Sequence, residues 1–382
     1  MSELSRRQVL GATAAGSAIA AATSEASAQA QPAAGPAPAA LAGAELPTFR
    51  FQLGAVIPKT WDGGWAKEAT VAEFPVSQKL AGVLMSLAPG GPRELHWHAN
   101  AAEWAYVIKG QCRVTTIDPQ DQSEIADFAA GDVWYFPRGH GHSIQGIGNE
   151  DCQFVLVFDN GYFSEFGTFS ITDWIAHTPP EVLQKTFGVS AQAIADFPKH
   201  EVYIARGPVP PPLAVDPMPG SLRSGALTHR YRLLAQRPQT YPGGTNRLVS
   251  QREFPIATTM TGALMRITRG SLREPHWHPN ADEWQYYLAG RARMSVFGSH
   301  GRVRTEELGA GDVGYVPQGY GHYIENAGTE DLDLLIVLNS GTYQSISLTA
   351  WLAANPHLLL ATNFRVPEAA FRDFPAGERF MP

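Results

Sequence analysis

Histidine and glutamate residues recur with one spacing in both halves of this 382-residue chain. The first half carries the set His96, His98, Glu103 and His142. The second half carries the matching set His276, His278, Glu283 and His322. Three imidazoles and one carboxylate suit a divalent transition metal such as Mn2+ or Fe2+, with coordination positions left for substrate and water. The sequence therefore predicts two metal sites per chain.

The two sets are separated by a constant offset of 180 residues, which makes coincidence a poor explanation. In a strand, residues i and i+2 point to the same face, so each His-x-His pair projects both rings together. Arg93 lies three residues before His96, and Arg273 occupies the matching position. An arginine there can bind a carboxylate substrate; a structural ion pair at the domain rim is the alternative. His140 aligns with Tyr320 and is interpreted as a support for the ligands rather than a ligand.

Each half is rich in short apolar runs of β-branched and aromatic residues, interrupted by Gly, Pro and Asp. Such runs are typical of strands, so we expect an all-β fold made of one duplicated sandwich or barrel domain. A short helical tail is expected to close each copy, near Pro180–Phe187 and Pro356–Phe364. Beyond the metal sets the offset falls to 177, because the first copy has three extra residues between Gly161 and Trp174.

The chain divides on this basis into five segments. Residues 1–30 are predicted to be a twin-arginine signal peptide, because Arg6-Arg7 precedes a mild apolar run and a small-residue cleavage site. The remaining segments are a flexible linker at 31–47, the N-terminal domain at 48–205, a Pro-rich linker at 206–227 and the C-terminal domain at 228–382. The signal predicts a periplasmic or secreted protein, and its apolar run is too short to remain as a membrane anchor.

Composition argues against several classes of protein. Charged residues make up 17% and the net charge is −7, with no basic stripe, so nucleic acid is not an expected partner. Local arginines or a metal must attract any anionic substrate, because the overall field of the protein does not. Cys112 and Cys152 are too few for a metal-binding set. An oxidising compartment permits a disulfide, and the sequence leaves open whether they form one or remain buried thiols.

The residues around the metal sets resemble the cupin signature. Glu103–Gly110 and Glu283–Gly290 fit its first part. The positions that fit its second part are Gly131, Pro137 and His142, with Gly311, Pro317 and His322 in the repeat. Cupins are jelly-roll β-barrels, so the resemblance implies two tandem jelly-roll domains. Finer motifs, such as Arg-Glu-Leu-His-Trp-His and Thr-Asp-Trp-Ile-Ala-His-Thr-Pro, are similar to those of the bicupin oxalate decarboxylases.

That resemblance implies a Mn-dependent enzyme that converts oxalate to formate and CO2 with O2 as cofactor, assembled as a trimer or hexamer. In the family, a lid over the N-terminal metal carries a proton-shuttling glutamate, and Ser164, Glu165 and Thr168 match that lid. The resemblance thus implies that Glu165 and Arg93 are catalytic, and that Arg93 and Arg273 bind the substrate.

The chain departs from the family pattern in two places. Phe166-Gly167 replaces polar lid residues, and Ile336 stands where some members carry a glutamate near the second metal. We therefore expect the N-terminal site to be catalytic, and the second to be structural or to assist by electron transfer. Three alternatives remain open: an oxalate oxidase that gives CO2 and hydrogen peroxide, another bicupin dioxygenase using iron, or a periplasmic binding protein with vestigial metals.

Overall fold

The computed structural model of the protein describes residues 45–213 and 227–382. The predicted signal peptide at 1–30 lies outside the described residues, as do positions 31–44 of the first linker and 214–226 of the second. Among the described residues, no helix is both long and apolar enough to cross a bilayer.

Short strands separated by turns form most of the regular structure in both repeats. In the first repeat they are β1 (Arg50–Phe51), β2 (Lys59–Trp61), β3 (Gly64–Ala69), β4 (Ala81–Leu87), β5 (Pro92–Trp97), β6 (Glu103–Lys109), β7 (Gln111–Ile117), β8 (Ser123–Ala129), β9 (Asp132–Phe136), β10 (Gly141–Ile147), β11 (Cys152–Phe158) and β12 (Phe169–Ser170). In the second repeat they are β13 (Arg230–Arg232), β14 (Gln239–Tyr241), β15 (Gly244–Val249), β16 (Thr261–Ile267), β17 (Leu272–Trp277), β18 (Glu283–Ala289), β19 (Arg291–Phe297), β20 (Val303–Gly309), β21 (Val313–Val316), β22 (Gly321–Asn326), β23 (Leu332–Leu338) and β24 (Ile346–Ser347).

Each barrel consists of a seven-stranded and a five-stranded antiparallel sheet packed face to face. The first barrel combines the strand orders β13-β9-β6-β11-β4-β3-β2 and β12-β5-β10-β7-β8. The second combines β1-β21-β18-β23-β16-β15-β14 and β20-β19-β22-β17-β24. Apolar side chains from both sheets fill each barrel, and the metal-ligating side chains are buried as well. The predicted all-β fold with two jelly-roll domains is confirmed.

Short helices follow the last strand of each repeat, as the sequence predicted. They are α1 (Ile171–Ala176), α2 (Pro180–Phe187), α3 (Ala191–Ala195), α4 (Leu348–Ala353) and α5 (His357–Phe364), with single 3₁₀ turns at Leu53–Ala55, Glu165–Gly167, Leu233–Ala235 and Glu368–Phe371. The helix expected near Pro356–Phe364 starts one residue later, because Pro356 is extended and caps it. A residue in the left-handed region ends each longer helix, Gly188 after α2 and Arg365 after α5.

The two repeats exchange their first strands. Strand β1 pairs with β21 in the second barrel, and β13 pairs with β9 in the first. An ion pair between Arg50 Nε and Asp312 Oδ2, at 2.9 Å, supports the first of these crossings. The repeats begin at residues 48 and 228 in the sequence, but each barrel is completed by the opening strand of the other repeat.

Two tryptophans and two glycines form the centre of the contact between the barrels. Trp104 of β6 lies against Gly262 of β16, and Trp284 of β18 lies against Gly82 of β4. Both indole rings are fully buried. The pairing follows the internal repeat, since each tryptophan and each glycine is offset from its counterpart by 180 residues. A β-carbon at either glycine would overlap the facing ring, so close packing of the barrels requires glycine there.

Cys112 in β7 and Cys152 in β11 are both fully buried and both free. Burial raises the pKa of the Cys112 thiol well above its ordinary value, and the neighbouring Cys152 raises it further. The structure therefore shows the two thiols, rather than a disulfide, inside the first barrel.

Candidate metal centres

The structure brings together the four predicted ligand atoms of each set. In each barrel, three imidazole nitrogens and one carboxylate oxygen lie within 4.8 Å of one another, and all four side chains are buried. The closest contacts in the first barrel join Glu103 Oε2 to His98 Nε2, at 2.8 Å, and to His142 Nε2, at 3.5 Å. The second barrel repeats them: Glu283 Oε2 lies 2.8 Å from His278 Nε2 and 3.4 Å from His322 Nε2.

Neighbouring strands position these side chains. His96 lies in β5, His98 follows its last residue, and Glu103 opens β6. The last histidine lies on β10, whose register places His142 directly opposite His96. The ladder is irregular between His142 and Ile144, as it is between Arg273 and His276 in the second barrel. Four residues connect the second histidine to the glutamate. Because this connection passes from the five-stranded to the seven-stranded sheet, both sheets contribute ligands to one site.

Backbone carbonyls orient the imidazoles. His96 Nδ1 lies 2.6 Å from the carbonyl of Glu94, and His142 Nδ1 lies 2.9 Å from that of His140. In the second barrel His276 and His322 make the matching contacts to Glu274 and Tyr320, at 2.7 and 3.1 Å. A ring that donates through Nδ1 presents an unprotonated Nε2, which is the form that binds a metal.

Several ligand atoms have no hydrogen-bond partner although they are buried. Among the described residues these include Nε2 of His142, Nε2 of His322 and Oε2 of Glu283. A buried polar atom without a partner is costly unless something else satisfies it. The orphaned atoms all face the centre of their quartets, so the donor sets fit a bound divalent cation.

The pKa values of the ligands favour metal binding in the same way. Burial lowers the pKa of His96 and of His276 well below the ordinary value, which keeps both rings neutral. Burial alone would raise the pKa of Glu103, but the nearby rings of His142 and His98 outweigh it and hold that pKa below its ordinary value. Glu283 follows the same pattern. Neutral imidazoles and an ionised carboxylate are the protonation states that metal ligation requires.

A short 3₁₀ turn at Glu165–Gly167 buries a further carboxylate against Arg93. Glu165 Oε1 lies 2.9 Å from Arg93 Nε, and both side chains are almost fully excluded from solvent. The ring of Tyr203 stacks on the Arg93 guanidinium at 3.8 Å, and its hydroxyl lies 3.3 Å from Glu165 Oε1. Thr168, from the end of the turn, donates to the Glu165 carbonyl at 2.6 Å. Arginine, tyrosine and glutamate thus form one buried group beside the metal ligands.

Comparison with known proteins agrees with this geometry. A cupin family model matches residues 58–195 and 231–370. The chain is 46% identical over 308 residues to oxalate decarboxylase OxdC of Bacillus subtilis (strain 168), covering 79% of this chain and 80% of the relative. It is 34% identical over 346 residues to an oxalate decarboxylase of Arthroderma benhamiae, covering 84% and 81%. A solved structure of the Bacillus subtilis enzyme at pH 4.6 has a TM-score of 0.85 at 41% identity and covers 89% of each chain. The chain belongs to the bicupin oxalate decarboxylase family.

Within this bicupin, the two sites differ in how the glutamate ligand is held. The indole Nε1 of Trp134 donates to Glu103 Oε1 at 2.6 Å. In the second barrel the side chain of Gln285 donates to Glu283 Oε1, also at 2.6 Å. Sequence reasoning missed both donors. Comparing the repeats at the offset of 180 could have indicated them, because Trp134 aligns with Gly314 and Gln285 aligns with Ala105. The donor therefore comes from β9 in the first barrel and from β18 in the second.

Among the described residues, no carboxylate is buried against Arg273 in the second site as Glu165 is against Arg93. Arg273 donates to Ser345 Oγ at 3.0 Å and lies 3.8 Å from Glu378, which is largely exposed. Phe380 stacks on Arg273 at 3.8 Å in the position that Tyr203 has in the first barrel, but it lacks a hydroxyl. Tyr203 and Phe380 are 177 residues apart. This is the offset between the two repeats after the three extra residues of the first copy, so the two aromatic residues occupy matching positions. Sequence reasoning did not use that alignment and therefore missed Tyr203.

His140 supports the first site through its backbone rather than its ring. Its carbonyl accepts from His142, as Tyr320 does for His322. The imidazole points elsewhere, with Nδ1 3.4 Å from His229 Nε2. His229 belongs to the second repeat and enters the first barrel next to the exchanged strand β13. The difference between His140 and Tyr320 therefore affects the contact with His229 beside the exchanged strand, whereas both residues support the histidine ligand in the same way.

Proposed function

We propose that this protein is a Mn-dependent oxalate decarboxylase that converts oxalate to formate and CO2 with O2 as cofactor. The observation that carries the proposal is the buried pair of Glu165 and Arg93 beside the first ligand quartet, 2.9 Å apart. The relatives named oxalate decarboxylase support the substrate and the reaction. Solved structures of the Bacillus subtilis enzyme that describe its Mn(II) centres support the metal.

Arg93 is suited to hold the substrate. Its Nη2 is buried and has no hydrogen-bond partner among the described residues, so a donor is available inside the site. Stacking on Tyr203 fixes the plane of the guanidinium, which leaves that donor with a defined direction. A charge-assisted hydrogen bond to one oxalate carboxylate would position the dianion next to the metal ligands.

Glu165 is suited to move the proton. The net reaction consumes one proton per oxalate dianion, because the carbon that loses CO2 gains a hydrogen and leaves as formate. A carboxylic group beside the reacting carbon can supply that proton as a general acid. Glu165 is the lid carboxylate suited to this role, and its burial would exclude water from the transfer.

His96, His98, Glu103 and His142 would hold the catalytic Mn2+, which would supply Lewis-acid and redox chemistry. The second quartet would hold another ion with a structural role or a role in electron transfer, since no carboxylate of a lid covers it. Fe2+ fits the same donor set, so the metal is to be determined by elemental analysis of the purified protein.

Assay of oxalate turnover tests this function. The metal-loaded protein should release one formate per oxalate, with formate production depending on Mn2+ and on O2. Hydrogen peroxide as the main product would identify an oxidase instead. Binding of oxalate without either product would leave only a binding protein.

We also infer export and assembly. The twin-arginine sequence at Arg6-Arg7 supports a periplasmic or secreted location. Exposed apolar side chains on α5, namely Leu358, Leu359 and Phe364, support a homo-oligomer, a trimer or hexamer, that covers them. Replacement of Arg6 and Arg7 by lysine should retain the protein in the cytosol, and light scattering should give the mass of a trimer or hexamer.

A further inference from the structure

The lid is attached to the edge of the first barrel at two points. The first point is Glu68 in β3, whose carboxylate accepts from the Ser164 hydroxyl at 3.0 Å and from the Glu165 backbone N–H at 3.1 Å. The second point is Phe166, whose ring lies 6.1 Å from that of Trp61 in β2. The ammonium of Lys59 lies 3.9 Å above the same ring.

We propose that Glu68 and Phe166 are lid-positioning residues, which together hold the lid closed and keep Glu165 over the first metal site throughout a turnover. The proposal rests on the proposed function of Glu165, and it adds two residues that touch neither the metal ligands nor Arg93. It also gives Phe166 a role.

The attachment is specific to the first barrel. Glu68 aligns with Leu248 in the second repeat, and Lys59 aligns with Gln239. A leucine cannot accept the two hydrogen bonds, and a glutamine cannot provide the cation over an aromatic ring. The acceptor and the cation therefore occur in the repeat that has the three extra lid residues and the lid carboxylate.

The two attachment points act on adjacent residues from adjacent strands. Strand β2 pairs with β3 so that Lys59 is opposite Ala66 and Trp61 is opposite Gly64. Glu68 thus fixes the backbone at Glu165, while Lys59 and Trp61 hold the next side chain. Gly167, which follows, has no neighbour close to the position of a β-carbon. Because the Glu165 side chain itself makes a separate ion pair, closure does not depend on that pair alone.

Closure affects the products as well as the rate. A lid that opens before Glu165 delivers its proton leaves the C–H bond of formate unmade. Oxalate dianion, O2 and two protons then end as two CO2 and one hydrogen peroxide, which balances both atoms and electrons. Weakening either attachment should therefore lower formate output and raise the peroxide share.

The test compares Glu68→Leu and Phe166→Ala with the parent protein, all loaded with metal. Hydrogen–deuterium exchange of a peptide covering residues 162–169 should become about tenfold faster in Glu68→Leu, which removes two hydrogen bonds. It should become about threefold faster in Phe166→Ala, which removes the aromatic and cation contacts. The formate turnover number should fall by similar factors, the peroxide share should rise, and metal content should stay at two ions per chain.

Two further variants separate positioning from general damage. Phe166→Trp keeps the aromatic face and should restore both slow exchange and formate production. Tyr162→Ala removes an aromatic residue from the same loop that is 69% exposed, and it should behave like the parent. Lid exchange within twofold of the parent in both Glu68→Leu and Phe166→Ala would overturn the proposal. A parent protein without formate activity would instead overturn the proposed function, and the exchange comparison would still test the attachment.

Discussion

Glu165 and Arg93 form an ion pair with both partners buried, 2.9 Å apart, beside the ligands of the first metal site. An isolated carboxylate inside a protein is costly, so the arginine is needed for the lid to close on a charged glutamate. Tyr203 completes the group through its hydroxyl and its ring. The same arginine therefore stabilises the lid, and its buried Nη2 has no hydrogen-bond partner in the part of the chain that the structure describes.

Replacement of Glu165 by glutamine should abolish proton transfer while leaving the shape of the lid. Formate production should fall by about 100-fold or more, the usual effect of removing a general acid. Metal content and thermal stability should not change. Glu181→Gln, at an exposed position in α2, is the matched control. Formate release at the parental rate from Glu165→Gln would contradict the assigned role.

Replacing Arg93 or Arg273 by lysine should distinguish the functions of the two sites. Arg93→Lys loses the planar guanidinium that stacks on Tyr203 and the orphaned Nη2, so the KM for oxalate should rise and kcat should fall. Arg273→Lys should leave both constants within about twofold, because the second site has no lid carboxylate. Steady-state kinetics on the two variants checks this, and equal losses would show that both sites bind substrate.

The fold and the metal ligands could be predicted from the sequence because an exact repeat is a strong signal. Two His-x-His pairs at one offset require equivalent strands, and the structure places His96 in β5 and His276 in β17, with His98 and His278 directly after these strands. The strand exchange was not predicted, since β1 and β13 have similar sequences and fit either barrel. Whether the first strand of a repeat pairs in its own barrel or in the other one depends on contacts between residues distant in sequence, such as Arg50 with Asp312.

The surroundings of the ligands were harder to predict than the ligands. Glu68 lies 97 residues before Glu165, and no local pattern links residues so far apart in the sequence. Tyr203 approaches Arg93 from the far end of the domain with a positive φ of 65°, held by a hydrogen bond from its N–H to Glu94. Such contacts depend on the path of irregular segments, which periodicity does not describe.

The folded protein should become less stable as pH rises through neutrality. Burial raises the pKa of Glu68 to about 7, with the carboxylates of Glu73 and Glu165 contributing, although hydrogen bonds from Ser164 and the Glu165 N–H oppose the shift. In the unfolded chain the group titrates near its ordinary value of 4.5. Folding therefore takes up a proton between these values, and the free energy of unfolding falls as pH rises through about 7.

Glu68→Gln tests this dependence, because an amide keeps a hydrogen-bond acceptor but does not titrate. In the parent, the free energy of unfolding measured with denaturant should fall between pH 5 and pH 8. In Glu68→Gln that decline should be smaller. A variant that keeps the parental slope would show that another group accounts for the pH dependence.

Removal of one histidine from each quartet should distinguish the roles of the two metals. His96→Ala and His276→Ala should each reduce the metal content from two ions per chain to one, because a quartet without one imidazole binds far more weakly. Formate production should be lost in His96→Ala. His276→Ala should keep the first-site ion but unfold at a lower temperature, since bound metal stabilises the folded state. Elemental analysis measures the metal content of each variant, and calorimetry measures its unfolding temperature on the same samples.

Alanine at Gly82 or Gly262 should weaken the contact between the barrels. A β-carbon at Gly82 overlaps the ring of Trp284, and one at Gly262 overlaps that of Trp104. Overpacking of this kind costs about 1–3 kcal/mol, because a buried indole must move. The melting temperature should fall by a few degrees in either variant. Gly377→Ala has no close neighbour at its β-carbon and should melt like the parent. Metal content should not change, because neither the two glycines nor the two tryptophans of this contact are metal ligands. A loss of metal in Gly82→Ala or Gly262→Ala would show that the contact between the barrels also supports a quartet.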